Sequence, residues 1–258
     1  MAERRRGAEG ALALVGSGEY LDVMLATDEA LLATVGGASA SVALLPTASG
    51  LEQGSPTRWN NMGVAHFKKL GVTDIRPTMI LDRATADDPK QVELLRGADF
   101  YYFSGGDPSH TIASMRDSAA WAVISEAQRD GAVLAGCSAG AMAMAGYTLP
   151  FRGLISGLVT GAPGDWRPAL GTVPNTLVVP HFDRLPGAVS DAMLKRLSHA
   201  APNGSAMIGV DEDTALVRLE PPAADGSALW QVMGRQTVHI HRAGHPSLRL
   251  HAGETVTL

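Results

Sequence analysis

The chain has a single cysteine, Cys137, among 258 residues. That count excludes an internal disulfide and a cysteine-rich zinc site, and nothing in the sequence calls for an oxidising compartment. Aromatic residues make up 5% of the chain and charged residues 18%, with no excess of positive charge: the formal net charge is −5. Lacking a basic footprint, the chain is not expected to bind nucleic acid or an anionic membrane, which leaves a small molecule or peptide as partner. No apolar run approaches the roughly 20 residues needed to cross a bilayer. Arg4, Arg5 and Arg6 followed by the apolar stretch 11–15 imitate a signal peptide, but the stretch is too short and leads straight into Gly16, Ser17, Gly18 and Glu19. The expectation is a cytoplasmic protein with a disordered tail at 1–10 and one α/β domain at 11–258. A homodimer is compatible with the sequence, which specifies no oligomeric state.

What is present is a repeating alternation. Short β-branched or apolar runs bounded by glycine and proline recur at 11–15, 41–45, 99–103, 132–135 and 176–179. Between them lie segments of helical spacing at 20–35, 56–70, 89–96, 109–129 (broken near Asp117) and 187–200. Strands alternating with helices imply a mostly parallel sheet covered on both faces, a three-layer α/β sandwich. From 207 onward the pattern changes to short runs at 207–210, 215–219, 229–233, 237–240 and 247–250, which predicts antiparallel strands extending one edge of that sheet.

The strand at 132–135 runs into Gly136, Cys137, Ser138, Ala139, Gly140, after which helix formers resume. A bare GxSxG is a weak signal, but this one has a strand before it and a helix after it. That setting lifts a serine hydroxyl clear of the sheet and turns the Ala139 amide, at a helix N-terminus, toward a developing oxyanion. Cys137 stands one position before the centre of the turn and reads as packing rather than as a thiol nucleophile. A second glycine turn, Ser104, Gly105, Gly106, Asp107, Pro108, follows the strand at 99–103 on the same carboxyl edge, where backbone N–H groups can approach a substrate oxygen. Asp107 or Ser109 is placed to cap the next helix.

A serine needs a base, and that base an orienting acid. His181 lies just past the strand at 176–179 and is preferred over its main rival, His110. His239 and His241 alternate on a strand and are expected to share an exposed face. Asp211, Glu212 and Asp213 end the strand at 207–210; Glu212 is preferred, and a merely solvated acidic turn is the alternative.

Together, the elbow, the turn at Gly105 and Gly106, Pro180-His181-Phe182 and the stretch 209–216 resemble the serine peptidase family of aspartyl dipeptidase E and cyanophycinase. Gly16 to Glu19, Leu45-Pro46-Thr47-Ala48 and Ala252-Gly253-Glu254 also look like family positions, so the resemblance runs from about residue 11 to the end. It implies a fold similar to the class I glutamine amidotransferase domain and an acyl-enzyme route with no metal or organic cofactor. It further implies Ser138 as nucleophile, His181 as base, Glu212 as acid, and Gly105, Gly106 and Ala139 as the oxyanion hole. The substrate implied is a small peptide. Pro108 departs from the family, which often carries an amide residue there. Preference for an aspartyl group would need a cation, for which Arg152, Arg167 and Arg184 are candidates beside Asp107. The loop 157–166 is a candidate lid. Two other readings share these residues: an esterase or amidase acting on a non-peptide acyl group, and a silent ligand-binding protein of the same fold.

Overall fold

The computed structural model describes residues 7–149, 166–185, 195–196 and 198–258. In the first half, strands and helices alternate as the sequence predicts: β1 (Leu12–Val15), α1 (Leu25–Ala33), β2 (Ser41–Leu45), α2 (Ser55–Lys69), β3 (Asp74–Pro77), α3 (Arg83–Ala86), α4 (Pro89–Leu95), β4 (Phe100–Phe103), α5 (Pro108–Met115), α6 (Ala119–Arg129), β5 (Val133–Cys137) and α7 (Ala139–Met144). The predicted helix at 109–129 is indeed two, separated around Asp117, which takes a positive φ of 58°. After α7 come β6 (Ala145–Thr148), β7 (Arg167–Pro168), β8 (Val173–Val179), β9 (Ala206–Val210), β10 (Thr214–Arg218), β11 (Leu229–Gly234), β12 (Thr237–His241), β13 (Leu248–His251) and β14 (Thr255–Thr257). Most of the helix expected at 187–200 lies outside the described residues, as do residues 1–6 of the expected tail.

The main sheet has the order β14-β11-β10-β1-β5-β4-β2-β3. Its β1, β5, β4, β2 and β3 are parallel, and β10, β11 and β14 add antiparallel strands at one edge. The remaining C-terminal strands do not extend that edge. They enter a second sheet, β13-β12-β9-β8-β6-β7, in which β9 runs parallel to β8 and antiparallel to β12. The chain passes from one sheet to the other between β9 and β10, through the acidic residues Asp211, Glu212 and Asp213.

Two-residue periodicity explains the layering. Ala13, Val15, Val42, Leu44, Phe100, Tyr102, Val133 and Ala135 point to one face, where Leu31 and Leu32 of α1 and Phe67 of α2 cover them. Leu12, Leu14, Leu45, Tyr101, Phe103 and Leu134 point to the other, where Leu95, Met115 and Ile124 meet them together with Val178, Ile208 and Ile240 of the second sheet. Both faces being buried, the central strands are apolar throughout. Gly7 N–H donates to Asp130 Oδ1 and Glu9 pairs with Arg218 at 2.9 Å, tying the chain just before β1 to its surroundings. No helix among the described residues is long and apolar enough to cross a membrane.

Candidate active site

Ser138 is the one residue between β5 and α7, and it adopts φ 51°, ψ −110°. Such a conformation costs a non-glycine residue on the order of 1–3 kcal/mol and is kept only where its surroundings over-determine it. Here Ser138 N–H donates to Val15 O at 2.9 Å and Met142 N–H to Ser138 O at 3.0 Å. The small neighbours are obligatory: a Cβ on Gly140 would sit 2.6 Å from Phe103 O. The strand order puts β5 between β1 and β4, so the loops after all three converge on the serine.

Ser138 Oγ lies 3.0 Å from His181 Nε2, and His181 Nδ1 lies 2.9 Å from Glu212 Oε1. His181 follows β8 at φ 50°, and Glu212 follows β9. Three carboxyl ends on two sheets therefore deliver the three side chains that the sequence singled out. Glu212 Oε2 in turn accepts from Arg184 Nε at 2.7 Å and Nη2 at 2.5 Å. The Arg184 hydrogen bonds, and then that of His181, hold the Glu212 carboxyl below the usual range, so it stays an anion through mild acid.

The rivals point elsewhere. His110 Nε2 sits 2.6 Å from Leu81 O. Asp211 is buried, its Oδ2 accepting from the Thr237 N–H and hydroxyl, and Asp213 faces Arg235 at 3.6 Å. Cys137 is buried, its thiol pushed up by burial and by the charge of Glu19, and is not presented to solvent. His239 and His241 occupy alternate positions of β12, but their face is not exposed: His241 is buried with its Nδ1 2.7 Å from Ser247 Oγ, while His239 lies against the Phe182 ring at 4.6 Å.

Of the three amides expected to form an oxyanion hole, Gly106 and Ala139 line the same cavity as Ser138 and His181, a space of about 580 Å³. Ala139 opens α7 and so has no intrahelical acceptor. Gly106 takes φ 146°, where a Cβ would lie 2.2 Å from Ala48 O. Gly105 differs from expectation: its N–H is committed to Glu19 Oε1 at 2.9 Å, although the residue itself lies against Ser138.

The substrate-binding candidates separate. Asp107 lines the cavity but its Oδ1 caps α5 by accepting from His110 N–H at 3.0 Å. Arg184 lines it too, with its guanidinium turned to Glu212. Arg167 lines a different cavity, of about 390 Å³, together with Arg83 and Arg116. Arg152 and nearly all of the loop 157–166 lie outside the described residues. Two features were missed by sequence reasoning: the Arg184 clamp on Glu212, and Glu19, whose oxygens hold Gly105 N–H and Cys137 Sγ. The acidic residue closing Gly16-Ser17-Gly18-Glu19, at the same carboxyl edge as the elbow, was the available signal for the latter.

The chain as a whole has counterparts among known proteins. A sequence model of Peptidase family S51 matches residues 12–221. The chain belongs to peptidase family S51. Its membership makes the protein a serine-type peptidase, as the resemblance implied. The crystal structure of a peptidase from an acI-B1 Actinobacterium superposes on this S51 peptidase with a TM-score of 0.80 at 32% identity, covering 98% of this chain and 99% of that one. A protein from Listeria monocytogenes EGD-e, provisionally assigned as a peptidase E, shares the fold at 17% identity with a TM-score of 0.55, covering 95% and 100%.

Proposed function

We propose that this S51 peptidase hydrolyses small peptides through Ser138, His181 and Glu212. The observation that carries the reading is the unbroken chain from Ser138 Oγ to His181 Nε2 at 3.0 Å and from His181 Nδ1 to Glu212 Oε1 at 2.9 Å. Ser138 Oγ attacks the scissile carbonyl carbon while His181 Nε2 takes its proton. The carbonyl oxygen becomes an anion, which the N–H groups of Gly106 and Ala139 meet. The C–N bond then breaks, the amine leaves with the proton from His181, and an ester to Ser138 remains. Water, deprotonated by the same imidazole, cleaves that ester and returns Ser138 to its hydroxyl form. Glu212, acceptor-only as an anion, keeps the Nδ1 proton of His181 in place and so leaves Nε2 free to accept.

One side of the described wall of the cavity is apolar and supports an uncharged side chain, while the acidic residues Glu52 and Asp107 line it too. Met142, Leu149, Leu177, Pro180 and Leu185 line it, and its one arginine, Arg184, already serves Glu212. An aspartyl preference of the dipeptidase E type would require Arg184 to release Glu212, or a further cation, for which Arg152 is a candidate. A cytoplasmic setting suits a chain with a single, buried cysteine. The test is hydrolysis of a dipeptide panel with Leu, Met and Asp at the N-terminus. Turnover by the parent protein and its loss in both Ser138→Ala and His181→Ala is the expected result; a Ser138→Ala protein as active as the parent would sink the mechanism.

A further inference from the structure

Glu19 follows β1 and is 6% exposed. A carboxyl group withdrawn from water is costly unless it is hydrogen-bonded or paired, and no cation among the described residues pairs with this one. Its two oxygens are instead divided between a loop and the end of a strand. Oε1 accepts Gly105 N–H at 2.9 Å, in the glycine turn after β4, and Oε2 accepts the Cys137 thiol at 2.9 Å, one residue before Ser138. The Cys137 thiol is held in its protonated, donating form by its burial. The glycine turn and the end of β5 thus bridged are in close approach, since a Cβ on Gly105 would lie 3.0 Å from Glu19 Oε1 and 3.4 Å from Ser138 Cβ.

Between Gly105 and Asp107 stands Gly106, which lines the cavity. Gly105 N–H is pinned to Glu19, and Asp107 N–H is pinned to Ala48 O at 2.7 Å. Each peptide group is planar, so fixing the amides on both sides of Gly106 restricts the direction of its own N–H. Glycine at that position has no side chain to restrict it further and relies on these anchors.

We propose that Glu19 is a positioning residue of the hydrolytic reaction: by holding Gly105 N–H and Cys137 Sγ together, it locks the glycine turn onto the nucleophile strand and aims Gly106 N–H at the oxyanion. The proposal rests on Ser138 being the nucleophile, as argued above. It gives the two glycines different tasks: Gly105 is the anchor, and Gly106 lines the cavity.

The experiment compares Glu19→Ala and Glu19→Asp with the parent, counting folded sites by active-site titration. It measures kcat and KM on the best dipeptide and the affinity of a peptide boronic acid that mimics the tetrahedral intermediate. Removing one oxyanion donor costs on the order of a hundredfold in kcat, so Glu19→Ala is expected to lose about that much per titrated site. KM should stay within about twofold, and boronate affinity should fall in parallel with kcat. Glu19→Asp keeps the carboxyl group but is shorter by one methylene and cannot span both donors; about a tenfold loss is expected, and this variant carries the test if Glu19→Ala does not fold. A residue needed only for folding would lower the number of titratable sites and leave kcat per site and boronate affinity at parental values, which would overturn the proposal. Ser138→Ala measured alongside separates the two claims. If it keeps parental activity, the nucleophile reading falls and this one with it; if it is inactive while the Glu19 variants turn over at the parental rate, the role of Glu19 alone falls.

Discussion

Replacing Glu212 by glutamine probes the geometry around His181 with little change of volume. Glutamine can still offer its carbonyl to Arg184, so the clamp is retained in part and the fold is expected to survive. What changes is the face shown to His181: the glutamine NH₂ cannot accept a proton from Nδ1, and it favours the imidazole tautomer whose proton sits on Nε2, where it blocks abstraction from Ser138. In a well-buried triad the corresponding acid-to-amide exchange lowers kcat about 10⁴-fold. This site is more open, with the side chains of His181 and Glu212 exposed by 43% and 23%. An interaction between unit charges 4 Å apart is worth about 4 kcal/mol near a protein surface and about 1 kcal/mol in bulk water. A value near 3 kcal/mol, or roughly a hundredfold in kcat, is therefore expected rather than the buried extreme. Stopped-time assays of dipeptide cleavage under saturating substrate would measure it, with thermal melting as the control for folding. A folded Glu212→Gln protein within about threefold of the parent would refute the assignment of Glu212 as the orienting acid, and would turn attention to His181 acting without one.

Three further perturbations probe other parts of the molecule. Gly106→Ala forces a Cβ to within 2.2 Å of Ala48 O at a φ of 146°; soluble protein is expected to keep less than a hundredth of parental kcat, since the turn must move to relieve the clash, and near-parental turnover would contradict the placement of this amide. Asp28 and His66 form a buried pair at 2.8 Å between α1 and α2, and burial raises the Asp28 carboxyl; Asp28→Ala strands the imidazole and should cost about 3 kcal/mol, lowering the melting temperature by roughly 6–12 °C in calorimetry. Glu212 has its folded-state pKa lowered by Arg184 and His181. A depressed carboxyl contributes stability that is complete above its unfolded pKa and is lost as pH falls through the folded value. Urea midpoints of the parent and Arg184→Ala should therefore differ most above the ordinary carboxylate range and converge toward strong acid, and a gap that widens on acidification would reverse the sign.

The legible part of this protein is the part set by short-range pattern. The short continuous apolar runs of β1, β2, β4 and β5 and the small residues around Ser138 reveal a covered parallel sheet and its elbow, because burial on both faces and the tight turn each impose a local composition. The strand β3 escapes that reading: Asp74, Ile75, Arg76 and Pro77 sit at the sheet edge, partly exposed, where no apolar run is required. Helix formers after Ser138 suggest a helix continuing through Ala145, yet α7 ends at Met144 and Ala145 begins β6, because β8 offers it a parallel partner. The short apolar runs likewise mark β9 and β12 as strands but not which sheet each joins, so neither the division of the C-terminal strands nor the burial of His241 was visible. His181 and Glu212 were legible because each follows a strand. The engagement of Gly105 by Glu19 was not, since it joins residues 86 positions apart through a single hydrogen bond. Nor was the Arg184 clamp, which depends on where the loop after β8 returns against the loop after β9.

The most direct measurement is mass spectrometry of the protein after reaction with a fluorophosphonate. One phosphonyl adduct per chain is expected, located on the peptide containing Ser138, absent from Ser138→Ala and formed much more slowly in His181→Ala. An adduct on another residue, or no adduct on folded protein that cleaves dipeptides, would contradict Ser138 as the nucleophile.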